Sequence, residues 1–169
     1  SPPERREEPV RHASAGPDEA ARLFRRIGEL ERRALLRADR PRALDLAGLE
    51  ELDAAFLEAP DARSRLEADR GWHRLLLPAR RIGAGARREL ERLHALAAPY
   101  QEAVWRDAPR VADMAPVEEH RAVVDALSGH RLGAAGRLLE AHWRAAAERA
   151  RRAVGTTGNG GREGDQAAA

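Results

Sequence analysis

Apolar residues recur at intervals of three and four positions through most of the 169-residue chain. Because an α-helix makes one turn in about 3.6 residues, this interval places the apolar side chains on one helical face. Ala, Leu, Arg and Glu, which favour helices, are abundant, whereas β-branched residues are few and the alternation typical of strands is missing. The pattern therefore predicts an all-α fold.

Six helices can be placed between residues 17 and 154, because capping residues and prolines divide the periodic stretches. Asp45 is a candidate cap for the second helix, and Pro99 predicts a kink or break inside the fourth. The connections are short, so the helices should form an antiparallel bundle of six to seven helices, with any site between helices. The predicted ranges are 18–39, 46–59, 61–77, 86–107, 116–128 and 132–154.

The two ends of the chain lack this periodicity. Residues 1–16 are rich in Pro and charged residues, and residues 155–169 are rich in Gly and nearly free of large apolar side chains. Such segments cannot bury enough apolar surface to fold. A disordered head and a disordered tail are therefore predicted around a single helical domain at 17–154.

The composition excludes several kinds of site. The chain has no Cys, which rules out disulfides, iron–sulfur clusters and thiolate nucleophiles and leaves His, Asp and Glu as metal ligands. The net charge is only +2, with acids interspersed among the Arg residues, so charge does not point to nucleic acid. No apolar run approaches the length of a membrane span or a signal peptide core, so we expect a cytoplasmic protein without membrane contact.

Asp69 and His73 are the first candidate metal ligands. They are four residues apart on the third predicted helix, so their side chains leave the same face and can reach one ion. Such a pair often occurs by chance on a solvated face. Here, however, Trp72 and Leu76 belong to an apolar stripe beside the pair, which favours a position near the interior.

His120 and His142 are the other two candidate ligands. Each lies on the apolar face of its helix, His120 near Val117 and Val123, and His142 near Leu139. A single inward-facing His is more often a hydrogen-bonded core residue than a metal ligand. Two of them, together with the pair on the third helix, favour a divalent ion with mixed nitrogen and oxygen ligands, such as Zn, Ni, Mn, Co or Fe(II).

The remaining histidines are weaker candidates. His94 shares an apolar face of the fourth helix, where a core residue or a neighbour of the ligands is a better interpretation than a ligand. His12 falls in the predicted head and His130 in a turn, so neither belongs to the candidate site.

Three segments carry a resemblance to a known family: ADRGWHRLL, VEEHRAVVDAL and LLEAHWRAA. Together they resemble the C-terminal effector-binding domain, called FCD, of the FadR subfamily of GntR-type bacterial transcription regulators, over about residues 18–154. The resemblance implies a helical bundle that holds a divalent ion through one Asp and three His. The corresponding residues of this chain are Asp69, His73, His120 and His142.

The same resemblance implies a small carboxylate effector, bound in a pocket near the ion with help from basic side chains. Arg26 and Arg74 are the candidates for this contact. The first-helix Arg that often supports the ligand in the family falls at Ile27, and the adjacent Arg26 is turned away by about 100°. The identity of the organic ligand is therefore less well predicted than the metal site.

In the family, the bundle acts on DNA through a preceding winged helix-turn-helix domain, usually in a homodimer. Some 16 residues before the first helix cannot hold that domain, so we expect an excised effector domain or a stand-alone relative. Three functions stay open at this point. The leading one is a metal-dependent carboxylate sensor, the second is a stand-alone metalloenzyme whose ion activates water, oxygen or a carbonyl group, and the third is a metal-free interaction domain.

Overall fold

A computed structural model describes residues 16–37, 44–77, 82–106 and 114–157, with side chains up to residue 154. These segments form six α-helices and contain no strand, which confirms the predicted all-α bundle. The helices are α1 (Pro17–Arg37), α2 (Leu46–Glu58), α3 (Ala62–Leu76), α4 (Ala84–Arg106), α5 (Met114–Ser128) and α6 (Leu132–Thr157).

The predicted disordered head and tail lie almost entirely outside the described residues, and both stay predictions. At the inner edge of the predicted tail, α6 continues to Thr157, three residues beyond the predicted end of the helix. None of the helices in the described segments is both long and apolar enough to cross a membrane.

Two aspartates begin helices, as the sequence pattern indicates. Asp45 accepts a hydrogen bond from the backbone N–H of Gly48 at 3.0 Å, and Asp61 accepts one from the N–H of Ser64 at 2.7 Å. A side chain that caps in this way satisfies one of the backbone donors that the first turn of a helix leaves free. The starts of α2 and α3 are therefore fixed locally, before any tertiary contact forms.

The fourth helix is continuous through Pro99, so the predicted break does not occur. Pro99 itself is exposed, but Ala97, Gln101 and Trp105 on either side of it are buried against other helices. Tertiary packing of the same face before and after the proline explains why both halves stay in one helix, despite the hydrogen bond that proline removes.

The bundle is organised around α6, which packs along α1 and also contacts α4 and α5, while α2 packs on α3. Phe24 and Trp143 stack between α1 and α6, with ring centroids 5.9 Å apart. A second apolar cluster surrounds Trp72, and a third contains Phe56 and Trp105. The polar side chains described next lie between the first two of these clusters.

Candidate metal centre

The four predicted ligands come together inside the bundle. Asp69 and His73 extend from α3, His120 from α5 and His142 from α6, and one potential ligand atom of each lies within 4.8 Å of those of the others. All four residues are between 1% and 3% exposed. The fold thus gathers three imidazoles and a carboxylate in a space from which water is largely excluded.

Local sequence explains why each side chain points inward. Asp69 and His73 lie on the buried face of α3, which also includes Trp72, and the ring of His120 stacks on that indole with centroids 3.8 Å apart. His142 precedes Trp143, and its ring lies 4.9 Å from the ring of His120. The apolar stripes that bury these helices therefore also bury the polar residues interspersed in them.

Each of the three imidazoles has a carboxylate at its Nδ1 atom. The His120 Nδ1 atom lies 2.8 Å from Oδ1 of Asp53, and the His142 Nδ1 atom lies 2.6 Å from Oε2 of Glu119. The third distance, from Nδ1 of His73 to Oε2 of Glu31, is 2.9 Å. Where a carboxylate accepts a hydrogen bond from Nδ1 and the ring is neutral, the Nε2 atom keeps a lone pair that can bind a metal ion.

Several ring nitrogens of the cluster lack partners among the described residues. Nε2 of His120 and both ring nitrogens of His73 are buried and form no hydrogen bond there, although Nδ1 of His73 lies within ion-pair distance of Glu31. The nearest carboxylate oxygen to Nε2 of His120 is Oδ1 of Asp69 at 3.6 Å, too far for a hydrogen bond. Burying an unpaired polar atom costs about 1–3 kcal/mol, so two of them side by side call for a missing binding partner.

A divalent ion fits this arrangement. Gln101 donates to Oδ2 of Asp69 at 3.1 Å, which leaves Oδ1 directed at the imidazoles. Ligand atoms that each bind one ion at about 2.0–2.2 Å lie within about 4.4 Å of one another, so the observed spread needs only a small contraction. Histidines supported by carboxylates are the usual form of a protein metal site, because the carboxylate fixes the ring and increases its basicity.

The supporting carboxylates are strongly coupled to their neighbours. Burial by itself would raise the pKa of Glu31, but the adjacent His73 and His94 outweigh it and hold that pKa far below its usual range. Glu119 behaves similarly, because hydrogen bonds from His142 and Arg149 overcome burial and lower its pKa to about 2. Both groups therefore carry a negative charge inside the bundle.

The other titratable groups shift according to their surroundings. Burial raises the pKa of Asp53 to about 7, against the opposing effect of Arg121. Burial also lowers the pKa of His120 well below its usual value, and the neighbouring His142 adds to this. Burial would lower the pKa of His73, but the combined effects of Glu31, Asp69 and Asp53 outweigh it and raise that pKa. Glu31 and Glu119 thus place negative charge on the outer sides of His73 and His142.

Sequence reasoning missed the four supporting residues Glu31, Asp53, Gln101 and Glu119. Three of them occupy a buried helical face, with Glu31 in the same stripe as Ile27 on α1. A polar residue at a position where the periodicity calls for an apolar one was the available signal. Glu119 gave no such signal, because it is partly exposed and becomes a partner of His142 only through the packing of α5 on α6.

A cavity of about 530 Å³ lies next to the cluster, between α1, α3 and α4. Arg74 lines it, and its predicted role in ligand binding stays a prediction. Arg26 does not line it: its side chain is on the exposed face of α1, 3.4 Å from Glu29, and its predicted role in ligand binding stays a prediction. The lining residues are Glu31, Arg70, His73, Arg74, Leu77, Ile82, Arg87, Leu90, Glu91 and His94.

His94 supports the cluster from this cavity without belonging to the four ligands. Its Nε2 atom lies 3.2 Å from Oε1 of Glu31, whose other oxygen faces His73. The interpretation of His94 as a neighbour of the ligands thus agrees with its position. Ile27, at the position of the family's ligand-supporting Arg, is fully buried in the apolar cluster around Trp143 and offers no polar contact.

Compared with known proteins, the chain matches no protein-family model, no curated protein and no solved structure. The resemblance to the FadR-type effector domain therefore rests on the three segments and on the four ligand positions. The geometry of the cluster is independent of that resemblance, because it depends only on which atoms the fold brings together.

Proposed function

We propose that this chain is a metal-dependent sensing domain of the GntR/FadR type, which holds a divalent ion through Asp69, His73, His120 and His142 and responds to a small organic carboxylate. The observation that carries the proposal is the pair of buried, unpartnered Nε2 atoms on His73 and His120, each backed by a carboxylate at Nδ1. Buried polar atoms are usually paired, and one divalent ion bound at both nitrogens would satisfy them together.

The donor set limits the metal. Three imidazole nitrogens and one carboxylate oxygen suit Zn, Ni, Mn or Fe(II), and they are too few and too nitrogen-rich for a calcium site. Bound to these residues, the ion would act as a Lewis acid with a free coordination position for water. It would also join α3, α5 and α6, because its ligands come from all three helices.

The position of the cavity supports a sensing role. Glu31 and His73 line the cavity, and His73 is also one of the proposed metal ligands, so a molecule that enters the cavity meets residues of the metal site. A ligand that binds one packing of these helices more tightly than another shifts the population between them. In a regulator of this type, the shift is passed to a winged helix-turn-helix domain that binds DNA, in the cytoplasm and in a homodimer.

The test is the metal content of protein purified without a tag and without chelator. We expect one ion per chain by native mass spectrometry and elemental analysis. In the His120→Ala variant the metal content should fall by about an order of magnitude. The matched control is His130→Asn, because His130 is an exposed His outside the cluster with a left-handed backbone (φ 57°) that Asn tolerates. Full-length folded protein that binds no divalent ion would contradict the proposal.

Catalytic turnover would instead favour the metalloenzyme. The same metal-loaded protein should bind a carboxylate reversibly and return it unchanged. Release of a product at a rate that depends on the ion and disappears in His120→Ala would replace the sensor by an enzyme on the same scaffold.

A further inference from the structure

We propose that the 530 Å³ cavity takes an organic anion with a compact apolar body, such as an aryl or branched-alkyl carboxylate, and that this ligand stays on the Glu31 side of His73, out of contact with the ion. The statement that the ligand does not contact the ion rests on the proposed function, because the ion is part of that proposal. The ligand class depends on the cavity alone.

The position of the ligand follows from how the cavity meets the cluster. Of the four metal-ligand candidates, only His73 lines the cavity, and it is accompanied there by Glu31. The Nδ1 edge of His73 faces Glu31 at 2.9 Å, so the opposite edge, with Nε2, is the one available to the ion. A ligand in the cavity therefore meets the carboxylate of Glu31 and is separated from the ion by the imidazole ring.

A second, much smaller void lies on the Asp69 and His142 side of the cluster. This void of about 10 Å³ touches Asp69 and His142, and its walls include Phe24, Gln101 and Arg149. A single water molecule needs about 10–15 Å³ of such space, so this void holds no more than one water. The open coordination position of the ion is thus suited to water, and the organic molecule belongs in the large cavity.

The charge of the ligand follows from two arginines. Arg70 and Arg74 lie one turn apart on α3, both line the cavity, and among the described residues neither forms an ion pair with a carboxylate. Arg87, by contrast, is neutralised by Glu91 at 2.9 Å. Two neighbouring guanidinium groups that form no ion pair with a described carboxylate favour an anion, and a carboxylate can accept bonds from both.

Polar atoms in the cavity wall support the same conclusion. The charge of Glu31 is already met by His73 and His94, and by the indole of Trp143, so it does not require a cationic ligand. The side chain of Arg70 is held in the cavity wall by a hydrogen bond from its terminal nitrogen to the backbone oxygen of His94.

The body of the ligand follows from the apolar part of the wall. Leu77 and Leu90 are almost fully buried, and with the partly buried Ile82 they form one side of the cavity. A carboxylate without a body, such as acetate, would leave water in the apolar part of the cavity. An aryl or branched-alkyl group fills this part and displaces the water, and the gain grows with the apolar area that the ligand buries.

The experiment measures binding of benzoate, acetate and benzylamine to the metal-loaded protein by isothermal titration calorimetry. We expect one benzoate per chain, bound at least about tenfold more tightly than acetate, and no binding of benzylamine. Preferential binding of benzylamine would overturn the assignment of charge. The ligand class is also overturned if benzoate, phenylacetate and 4-methylpentanoate all fail to saturate at millimolar concentration.

Variants locate the contact. Arg74→Gln should weaken benzoate binding by at least about tenfold, because it removes a charge-assisted hydrogen bond at an exposed position. Arg144→Gln, which changes an exposed Arg of α6 outside the cavity, should leave benzoate binding unchanged. Equal effects of the two substitutions would contradict a specific contact at Arg74.

Cobalt-loaded protein separates this inference from the proposed function. If benzoate stays on the Glu31 side of His73, saturating benzoate leaves the visible absorption bands of the bound Co²⁺ at their positions. New bands of a changed coordination number would show direct ligation and overturn the position. Failure to load Co²⁺ or Zn²⁺ would contradict the proposed function itself, while the calorimetric comparison with Arg74→Gln would still decide the ligand class.

Discussion

The indole Nε1 of Trp143 donates a hydrogen bond of 2.6 Å to Oε2 of Glu31, inside the bundle. The same oxygen lies 2.9 Å from Nδ1 of His73, and the other oxygen of Glu31 lies 3.2 Å from Nε2 of His94. One carboxylate that is only 1% exposed thus connects α1 with α3, α4 and α6. This is the point at which the cavity and the metal ligands meet.

Replacement of this carboxylate should weaken metal binding. In Glu31→Gln one carboxylate oxygen is replaced by an NH2 group, which donates and does not accept. The amide therefore cannot offer one oxygen to His73 and another to His94 as Glu31 does. We expect the affinity for Zn²⁺ to fall by about 10–100-fold, the range found when a partner of a metal-bound His is removed. Competition with a chromogenic chelator measures the change.

The control for that substitution is Glu29→Gln, an exposed acid of the same helix whose ion pair within the described part of the chain is with Arg26. Its Zn²⁺ affinity should equal that of the wild type. If Glu31→Gln folds and binds Zn²⁺ with unchanged affinity, Glu31 does not position His73.

Asp53 allows the hydrogen bond to be separated from the charge. Asp53→Asn keeps an oxygen that accepts from Nδ1 of His120, whereas Asp53→Leu keeps the approximate volume and loses the acceptor. We expect the Zn²⁺ affinity of the Asn variant to stay within about threefold of wild type and that of the Leu variant to fall by about 10–100-fold. Equal affinities in the two variants would show that orientation of His120 does not depend on this bond.

Removal of the ion should lower the melting temperature. When free metal is present at about 100 times its dissociation constant, binding adds about 2.7 kcal/mol to the free energy of unfolding. For a domain of this size, loss of that contribution lowers Tm by about 5–10 °C, which a thermal melt with and without chelator detects. His120→Ala should show no response to chelator, and a response equal to that of wild type would place the ion elsewhere.

Gly28 tests the close contact of α1 and α6. A Cβ atom at this position would lie 3.0 Å from Cβ of Trp143, an atom fixed to the backbone of α6 that cannot turn away. Overpacking of this kind costs about 1–3 kcal/mol, and the helix propensity of Ala returns about 1 kcal/mol. Gly28→Ala should therefore lower the free energy of unfolding by about 1 kcal/mol in urea titrations.

The matched control is Gly85→Ala near the start of α4, where an added Cβ meets no atom within 4 Å. This change should raise the free energy of unfolding by about 0.5 kcal/mol, because only backbone entropy is affected. A stabilising effect of Gly28→Ala would mean that α6 can move away from α1 without loss.

Much of the fold was encoded locally. The interval of three and four between apolar residues specifies helices, and caps such as Asp45 and Asp61 specify where two of them begin, because both depend on contacts within a few residues. The same periodicity placed His120 and His142 on inward faces. It could not reveal that α4 passes through Pro99, since that outcome depends on packing on either side of the proline.

The sequence by itself thus determined the helices, their buried faces and the identity of four residues able to bind a metal. Only the tertiary structure decided that Glu31, Asp53 and Glu119 stand behind three imidazoles, and that the large cavity opens on the Glu31 side of His73. The physical reason is that helix periodicity depends on neighbours three or four residues away. The distance between a carboxylate and a ring more than 20 residues apart depends instead on how whole helices pack.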